Sequence, residues 1–256
     1  MKHKEIAKVI SQESIATGVY SMWIQTKDIA DEAVAGQFIS VYCKDGAKLL
    51  PRPISICEVN KEEGTLRIVY RVVGGGTTEM SGYVSGDNID ILGPLGNGFM
   101  QREGKKAILI GGGIGIPPMV QLGKELKNIA KVQTVAGYRD ELFLIDELEK
   151  NGDVYIATED GSTGTKGTVI DAIKACAVTG DVIYACGPTP MLRAIKEYAL
   201  ANDIECQISL EEKMACGIGA CLGCVCKSKE KDHHTNVNNK RICKDGPVFL
   251  AQEVEL

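Results

Sequence analysis

The chain has 256 residues, of which 44% are hydrophobic and 25% are charged, and its formal net charge is −5 at pH 7. This length is enough for two compact domains, and the acidic balance argues against nucleic acid as the main partner. The first residues contain no apolar run of signal-peptide length, and no stretch reaches the roughly 18 apolar residues of a membrane helix. We therefore expect a cytoplasmic protein that does not bind a membrane.

Residues 1–100 are predicted to form an antiparallel β-barrel. Short runs of β-branched and aromatic residues at 19–23, 38–42, 66–70 and 88–92 are separated by glycine-bearing turns. This spacing is typical of a small barrel. The segment 93–98 is rich in glycine and proline, which indicates the exit from the first domain.

Residues 101–210 are predicted to form a doubly wound α/β domain. Strand-like runs alternate with helical segments, and this alternation indicates a parallel sheet. The runs are at 107–110, 132–138, 154–158 and 182–185, and the helical segments are at 117–129, 142–149, 169–175 and 190–201. From residue 211 glycine and cysteine replace this alternation, so residues 211–256 are predicted to form a small C-terminal domain. The fold class is therefore α+β and multidomain.

The C-terminal segment holds five of the ten cysteines. Three of them follow the order C-x4-C-x2-C, and another comes after eighteen intervening residues, which is the plant-type ligand pattern of a 2Fe–2S cluster. Glycines within the loop permit the close backbone approach that such a cluster needs. The predicted ligands are Cys216, Cys221, Cys224 and Cys243.

A zinc site is the alternative for these cysteines. Zinc sites are typically built from two pairs of closely spaced ligands, and Cys243 has no cysteine near it in sequence. His233 and His234 could complete such a site, although neighbouring histidines in a polar loop are more often solvated. Cys226 does not fit the ligand pattern and is predicted to be a bystander thiol. The sequence favours the cluster.

Two glycine-bearing turns in the α/β domain predict a nicotinamide nucleotide. Gly111, Gly112, Gly113 and Gly115 lie between a strand and a helix, where backbone amides favour a pyrophosphate. A second turn follows Cys186, and both turns lie at the carboxyl ends of strands, where open α/β sheets bind ligands. A tight turn needed only for packing is the alternative. Residues 139–141 offer both an arginine and acidic groups, so the choice between NAD and NADP stays open.

Two segments of the predicted barrel suit a flavin cofactor. Arg52 can pair with a cofactor phosphate, and Ser55 lies three residues further on, where it could reach a flavin ring atom. The glycines at 74–76 precede paired threonines and could hold a diphosphate by their backbone amides. A surface arginine and a flexible turn are the alternatives.

The order of these motifs resembles that of the ferredoxin–NADP reductase superfamily. R-P-x-S, G-G-G-T, G-G-G-x-G with two prolines, and C-G-P occur in that order within about residues 5–210. That superfamily pairs an FAD-binding barrel with a nicotinamide-nucleotide domain. The segments 211–226 and 242–249 resemble the electron-transfer subunit of the bacterial class B dihydroorotate dehydrogenases, so the resemblance extends over nearly the whole chain.

The resemblance implies a set of site residues and a function. Residues 216, 221, 224 and 243 would ligate the cluster, and the glycine turn with Cys186 and Met191 would lie near NAD. The residues that would contact FAD are Arg52, Pro53, Ile54, Ser55, Val69, Tyr70, Arg71, Gly76 and Thr77. A flavin exchanges two electrons with a nicotinamide and single electrons with a cluster, so FAD would stand between them.

The implied partner is a catalytic subunit that holds FMN and oxidises dihydroorotate to orotate in pyrimidine biosynthesis, in a heterotetramer of two copies of each chain. No catalytic residue for that oxidation is expected on this chain. A sister family, the small subunits of NADH-dependent ferredoxin–NADP transhydrogenases and related sulfide dehydrogenases, has an aspartate in place of one cluster cysteine. All four positions are cysteine here. A redox-sensing cluster protein that binds nucleotide without turnover is a further alternative.

Overall fold

The computed structural model of the chain describes residues 2–231 and 236–256. The alternative that gave His233 and His234 to a zinc site falls outside the described residues. Within the described part of the chain, no helix is both long enough and apolar enough to span a bilayer.

Six antiparallel strands form a closed barrel in the order β1-β2-β5-β4-β3-β6. They are β1 (His3–Ala16), β2 (Val19–Gln25), β3 (Phe38–Tyr42), β4 (Arg52–Asn60), β5 (Thr65–Arg71) and β6 (Asn88–Leu95). Alternate residues such as Met22, Ile24, Ile39 and Ile56 point inward and are fully buried, as the two-residue period of a strand requires. Two short helices, α1 (Lys27–Glu32) and α2 (Gly75–Met80), connect strands of the barrel. The predicted barrel is confirmed, and β1 and β4 are additions to the predicted strands.

The second part of the chain is a seven-stranded sheet in the order β10-β9-β8-β7-β11-β12-β15. The strands that precede residue 211 are β7 (Lys106–Gly112), β8 (Lys131–Tyr138), β9 (Asp153–Thr158), β10 (Thr165–Lys166), β11 (Val182–Cys186) and β12 (Glu205–Ser209). These strands pair in parallel, as predicted. The helices are α3 (Pro117–Leu126), α4 (Ile145–Glu149), α5 (Val169–Ala175) and α6 (Thr189–Ala201).

Both faces of this sheet are covered because β7 is apolar on both sides. Ile108 and Ile110 pack in one buried cluster with residues of α5 and α6, whereas Ala107 and Leu109 pack in another cluster with residues of α3 and α4. A short 3₁₀ turn, Gly113–Gly115, joins β7 to α3 at the carboxyl edge of the sheet. This doubly wound arrangement is the predicted one.

The cysteine-rich segment packs against both of these parts. It contains β13 (Val225–Lys227), β14 (Asn239–Arg241), α7 (Ile242–Asp245) and β15 (Val248–Leu250). The first two strands form a small antiparallel hairpin, and β15 adds an antiparallel edge strand beside β12. Cys224 and Cys243 belong to the same buried cluster as Phe38 and Leu95 of the barrel. The segment therefore shares its core with the other two parts.

A buried arginine joins the barrel to the α/β part. Arg67 of β5 is only 7% exposed, its Nη1 lies 2.8 Å from Glu147 Oε1 of α4, and its Nε donates to Ser21 Oγ at 2.9 Å. Lys124 of α3 reaches Glu58 Oε1 of β4 at 3.1 Å beside it. These charged groups compensate each other across the junction between the two parts.

We predict that Arg67→Met lowers the free energy of unfolding by about 3 kcal/mol, because it leaves the Glu147 carboxylate without its partner at a largely buried position. The matched control is Arg102→Met, which removes a half-exposed ion pair with Glu205 and should cost about 1 kcal/mol or less. Urea unfolding followed by circular dichroism measures both. Equal losses in the two variants would contradict the role assigned to Arg67.

Candidate redox cofactor sites

A cavity of about 570 Å³ lies between the barrel and the segment that follows β12. Strands β4 and β5 are neighbours in the barrel, so the two motifs that they carry line the same wall. This wall contains eight of the nine residues predicted to contact FAD: Arg52, Pro53, Ile54, Ser55, Val69, Tyr70, Arg71 and Thr77. The opposite wall comes from residues 209–214 with Ile114 and Pro247.

Gly76, the ninth predicted residue, lies behind Arg52 rather than in the cavity wall. A Cβ atom at Gly76 would overlap Nε of the Arg52 guanidinium, so only glycine lets that side chain lie flat against the helix. The guanidinium is also held by the carbonyl oxygens of Leu50 and, at 3.4 Å, Lys48. Gly76 thus positions the arginine that faces the cavity.

The glycines at 74–76 form a helix start rather than an open turn. Gly75 and Gly76 begin α2, and Thr77 Oγ1 accepts hydrogen bonds from the amides of Val73 at 2.9 Å and Gly74 at 3.2 Å. The predicted cradle of backbone amides is therefore partly used by Thr77. The positive group that this region offers a cofactor is the Arg52 side chain.

The predicted nucleotide residues meet at the carboxyl ends of β7 and β11. Gly111 pairs directly with Cys186 in the parallel register. A Cβ atom at Gly115 would overlap the Cys186 carbonyl, and one at Gly112 would overlap Met191 Sδ. The glycines are thus required by close packing of the two turns. Burial raises the pKa of the Cys186 thiol, so this group stays neutral at physiological pH.

A second cavity of about 550 Å³ opens beside this turn. It is lined by Gly113, by residues 138–141 and by Arg71, which also lines the first cavity. The next residue of the turn, Ile114, lines the first cavity. The two cavities therefore share Arg71, and two consecutive residues of the glycine turn line one cavity each.

The acidic residues after β8 tie this second cavity to the barrel. Glu141 Oε2 accepts a hydrogen bond from the Thr17 amide at 2.8 Å, and Asp140 Oδ1 accepts one from the Glu141 amide at 2.7 Å. Arg139 lines the same cavity. Both signs of charge are therefore present on the wall of the second cavity.

The four predicted cluster cysteines lie together as two pairs. The Cys243 amide donates to Cys224 Sγ at 3.4 Å, which joins these two cysteines, and Cys221 lies beside Cys216 in the same loop, where it helps to lower the pKa of the Cys216 thiol. Since each iron of a 2Fe–2S cluster takes two thiolates, this division fits a two-iron centre. The β13–β14 hairpin makes the second pair possible, because the Ile242 amide donates to the Cys224 carbonyl at 2.9 Å.

Backbone amides surround the sulfur atoms, as a cluster loop requires. Three donate to thiols: Ala220 N to Cys216 Sγ at 3.3 Å, Gly223 N to Cys221 Sγ at 3.4 Å and Cys243 N to Cys224 Sγ at 3.4 Å. Partial burial raises the pKa of Cys216, but the surrounding amides outweigh it and lower this pKa to about 6. Burial and the neighbouring Cys224 raise the pKa of Cys243 to about 12. Cys216 is thus more readily available than Cys243 as a thiolate that binds a metal.

The cysteine segment is fixed to the barrel at two points. Gly217 has φ +68°, and its Cα lies so close to β3 that a Cβ would come within 2.8 Å of Ser40 Oγ. Asn97, just after β6, donates its side-chain amide to the Asp245 carbonyl at 3.0 Å and its backbone amide to the Gly246 carbonyl at 2.7 Å. Met214, which lines the flavin cavity, lies two residues before Cys216. These contacts hold the cysteine pairs beside that cavity.

Two further observations bear on the sequence predictions. Cys226 lies in β13 with its thiol 3.6 Å from the Lys240 carbonyl of the partner strand, within the hairpin. Residues 209–214, the second wall of the flavin cavity, carry no motif and were not predicted. Their position directly after the last parallel strand was the one available signal, since ligands lie beyond such strand ends.

Solved structures define the class of protein. The structure of an NADH-dependent reduced ferredoxin–NADP oxidoreductase, from work on flavin-based electron bifurcation, matches with TM-score 0.88 and 31% identity over 98% of this chain and 90% of that chain. The ferredoxin reductase of carbazole 1,9a-dioxygenase shares the fold, with TM-score 0.66 and 20% identity over 79% and 67% of the two chains. The chain has the ferredoxin–NADP reductase type of fold.

Sequence relatives give the particular family. Residues 211–255 match the model of the iron–sulfur cluster binding domain of dihydroorotate dehydrogenase B. The electron-transfer subunit of NAD-dependent dihydroorotate dehydrogenase B from Caldanaerobacter subterraneus is 43% identical over 99% of both chains. The corresponding subunit from Listeria monocytogenes is 46% identical over 97% of this chain and 98% of its own length. The chain belongs to this family of electron-transfer subunits, which confirms the resemblance.

We predict that Gly76→Ala weakens FAD retention roughly tenfold, because the new methyl group displaces the Arg52 guanidinium from the cavity wall. Gly75→Ala is the matched control, since a Cβ there meets only Lys48 Cε at 3.5 Å, an ordinary contact. The flavin absorbance of each purified protein after dialysis measures retention. Equal flavin content in the two variants would show that Arg52 does not hold the cofactor.

We also predict that Cys221→Ala abolishes the cluster, whereas Cys226→Ala leaves it in place. Both cysteines lie in the same loop and hairpin, but only Cys221 belongs to the paired set. Iron content and visible absorption of anaerobically purified protein distinguish the two variants. Loss of iron in both variants, or in neither, would contradict the assignment of ligands.

Proposed function

We propose that this chain relays electrons between NAD and a catalytic partner subunit, with FAD in the first cavity and a 2Fe–2S cluster on Cys216, Cys221, Cys224 and Cys243. In this proposal the barrel domain comprises about residues 1–100, the nucleotide domain 101–210 and the cluster domain 211–256. FAD supplies the exchange between hydride transfer and single-electron transfer. The membership of the chain in the dihydroorotate dehydrogenase B family supports the proposal.

The observation that carries the proposal is the continuity of the three sites. Arg71 borders both cavities, and Met214 connects the flavin cavity to the cysteine loop. Arg52 and Arg71 offer positive charge for the cofactor phosphates, and Ser55 offers a hydroxyl near the ring system. The glycine turn lets the nucleotide approach the flavin closely. Cys186, which is neutral and fully buried, packs directly beneath the glycine turn.

The partner subunit would dock where the cluster site faces solvent. Cys224 and Cys243 are 2% and 1% exposed, whereas Cys221 is exposed. Large apolar side chains surround it on that side: Ile218, Leu222 and Val225 are 43%, 47% and 39% exposed. Electrons would leave through this side, and the apolar groups would be covered on assembly.

The finer properties of the partner come from the family resemblance. The partner would hold FMN and oxidise dihydroorotate to orotate, and two copies of each chain would form a heterotetramer in the cytoplasm. Orotate chemistry then needs no proton-transfer residue from this chain.

We predict that the purified chain oxidises NADH with an artificial electron acceptor but does not oxidise dihydroorotate. Steady-state dye reduction measures the first activity, and the same assay with dihydroorotate as donor measures the second. Turnover of dihydroorotate by the chain alone would contradict the division of labour. Binding of NADH without dye reduction would favour the sensor reading.

The structural match to a ferredoxin–NADP oxidoreductase supports one alternative function, that of the small subunit of a ferredoxin-dependent transhydrogenase. The chain has cysteine at all four proposed ligand positions, and its identity to dihydroorotate dehydrogenase subunits, 43% and 46%, exceeds the 31% identity to that oxidoreductase. Both observations favour the dihydroorotate dehydrogenase function. Affinity purification of the tagged chain from its own cells separates the two. A co-purifying flavoprotein that oxidises dihydroorotate supports the proposal, and a partner that reacts with ferredoxin contradicts it.

A further inference from the structure

A second cluster of metal-ligand side chains lies on the barrel, away from the redox sites. His3 and Glu5 are two residues apart on β1, so their side chains share one face of the strand. Asp28 and Glu32 are four residues apart on α1, so they share one face of the helix. The two faces meet: His3 Nδ1 lies 4.0 Å from Asp28 Oδ2, and His3 Nε2 lies 3.2 Å from Glu32 Oε1.

Three of these side chains converge on one point. A donor atom each of His3, Glu5 and Asp28 lies within 4.8 Å of the other two. A Zn²⁺ ion with bonds of about 2.0–2.2 Å needs its ligand atoms roughly 3.4 Å apart. Side-chain rotations that move the donor atoms by about an ångström are enough to bring them to bonding distance around one cation. Nitrogen with two carboxylates is a donor set suited to a divalent transition metal.

The carboxylate of Glu5 has one buried oxygen without a hydrogen-bond partner in the described part of the chain, which is independent evidence for a bound cation. Its Oε2 accepts a hydrogen bond from Thr26 Oγ1 at 2.8 Å, but its Oε1 is buried and has no hydrogen-bond partner among the described residues. Leaving a buried carboxylate oxygen unpaired is costly. Thr26 occupies the N-cap position of α1, yet its hydroxyl caps no helix amide and instead orients Glu5. A cation bound by this carboxylate would compensate that cost.

Glu32 completes the arrangement as a positioning residue. Metal-binding histidines usually donate their second ring N–H to a carboxylate, which fixes the tautomer and the orientation of the ring. With Nε2 donating to Glu32 Oε1, the lone pair of His3 is on Nδ1, the atom that faces Asp28. The imidazole is thus oriented to bind a cation between itself and Asp28.

We propose that His3, Glu5 and Asp28 bind one divalent transition-metal cation of the zinc class, with water in the open fourth position. The ion ties the first strand of the barrel to α1. It is separate from the iron–sulfur site in both location and donor chemistry, because its ligands are nitrogen and oxygen rather than sulfur.

The test is Zn²⁺ binding to the protein loaded with its flavin and cluster, measured by competition with a chromophoric chelator. We expect one Zn²⁺ per chain, and at least roughly tenfold weaker binding in His3→Gln and Glu5→Gln. Asp31→Asn is the matched control, because it removes one carboxylate from the exposed surface of the same helix outside the site. Its affinity should equal that of the unmodified chain. Equal iron and flavin contents in all variants verify that they fold.

Zinc-edge X-ray absorption on the loaded protein identifies the ligand atoms. We expect nitrogen and oxygen scattering only. Sulfur scattering at about 2.3 Å would place the ion on the cysteines and overturn the proposal. Absence of stoichiometric binding, or equal affinity in His3→Gln and Asp31→Asn, would overturn it as well and leave His3 as a simple ion-pair partner of the carboxylates.

Discussion

The structure depends on holding four cysteine sulfurs from two distant segments in a fixed position beside the first cavity, which is lined by β4, β5 and residues 209–214. Three of them come from one loop, and Cys243 comes from a helix that follows a hairpin. The cysteine segment is joined to the barrel by the hydrogen bond from Asn97 to the Asp245 carbonyl and by the close approach of Gly217 to β3. Since Cys224 and Cys243 also pack in the core of the α/β part, a shift of the loop would disturb the whole molecule.

The two cavities adjoin where the barrel meets the α/β part. Arg71 at the end of β5 and the glycine turn after β7 lie at the junction, and buried charges such as Arg67 keep the two parts in register. Glycine is required in the turn because Cys186 and Met191 occupy the space of a side chain. The junction is therefore built from closely approaching backbone, and the proposed FAD and NAD would lie on either side of it.

Much of this was predictable from local sequence signals. Parallel strands, helices and the barrel runs follow from apolar periodicity, and the cysteine spacing predicted a set that the structure brings together. Strand β4 was not among the predicted strands because Arg52 and Pro53 interrupt the apolar pattern at its start, although Pro53 pairs with Ser40 in the barrel. β1 mixes charged residues with exposed Ile6 and Ile10, so its two-residue pattern is weak.

Features that depend on long-range contacts had little local signal or none. The edge strand β15 has only three residues and exists because β12 offers a free edge for pairing. The cavity wall at 209–214 becomes a wall only once the cysteine segment folds back on the barrel. Pairing of the four cysteines as two and two likewise requires the hairpin that brings Cys243 to Cys224.

The most direct test of the electron path is an anaerobic titration of the purified chain with NADH, followed by absorption and electron paramagnetic resonance. The account predicts that the flavin bands bleach and that the resonance signal of a reduced two-iron cluster appears in the same sample. Flavin bleaching while the cluster stays oxidised, or a colourless protein with zinc bound by sulfur, would contradict it.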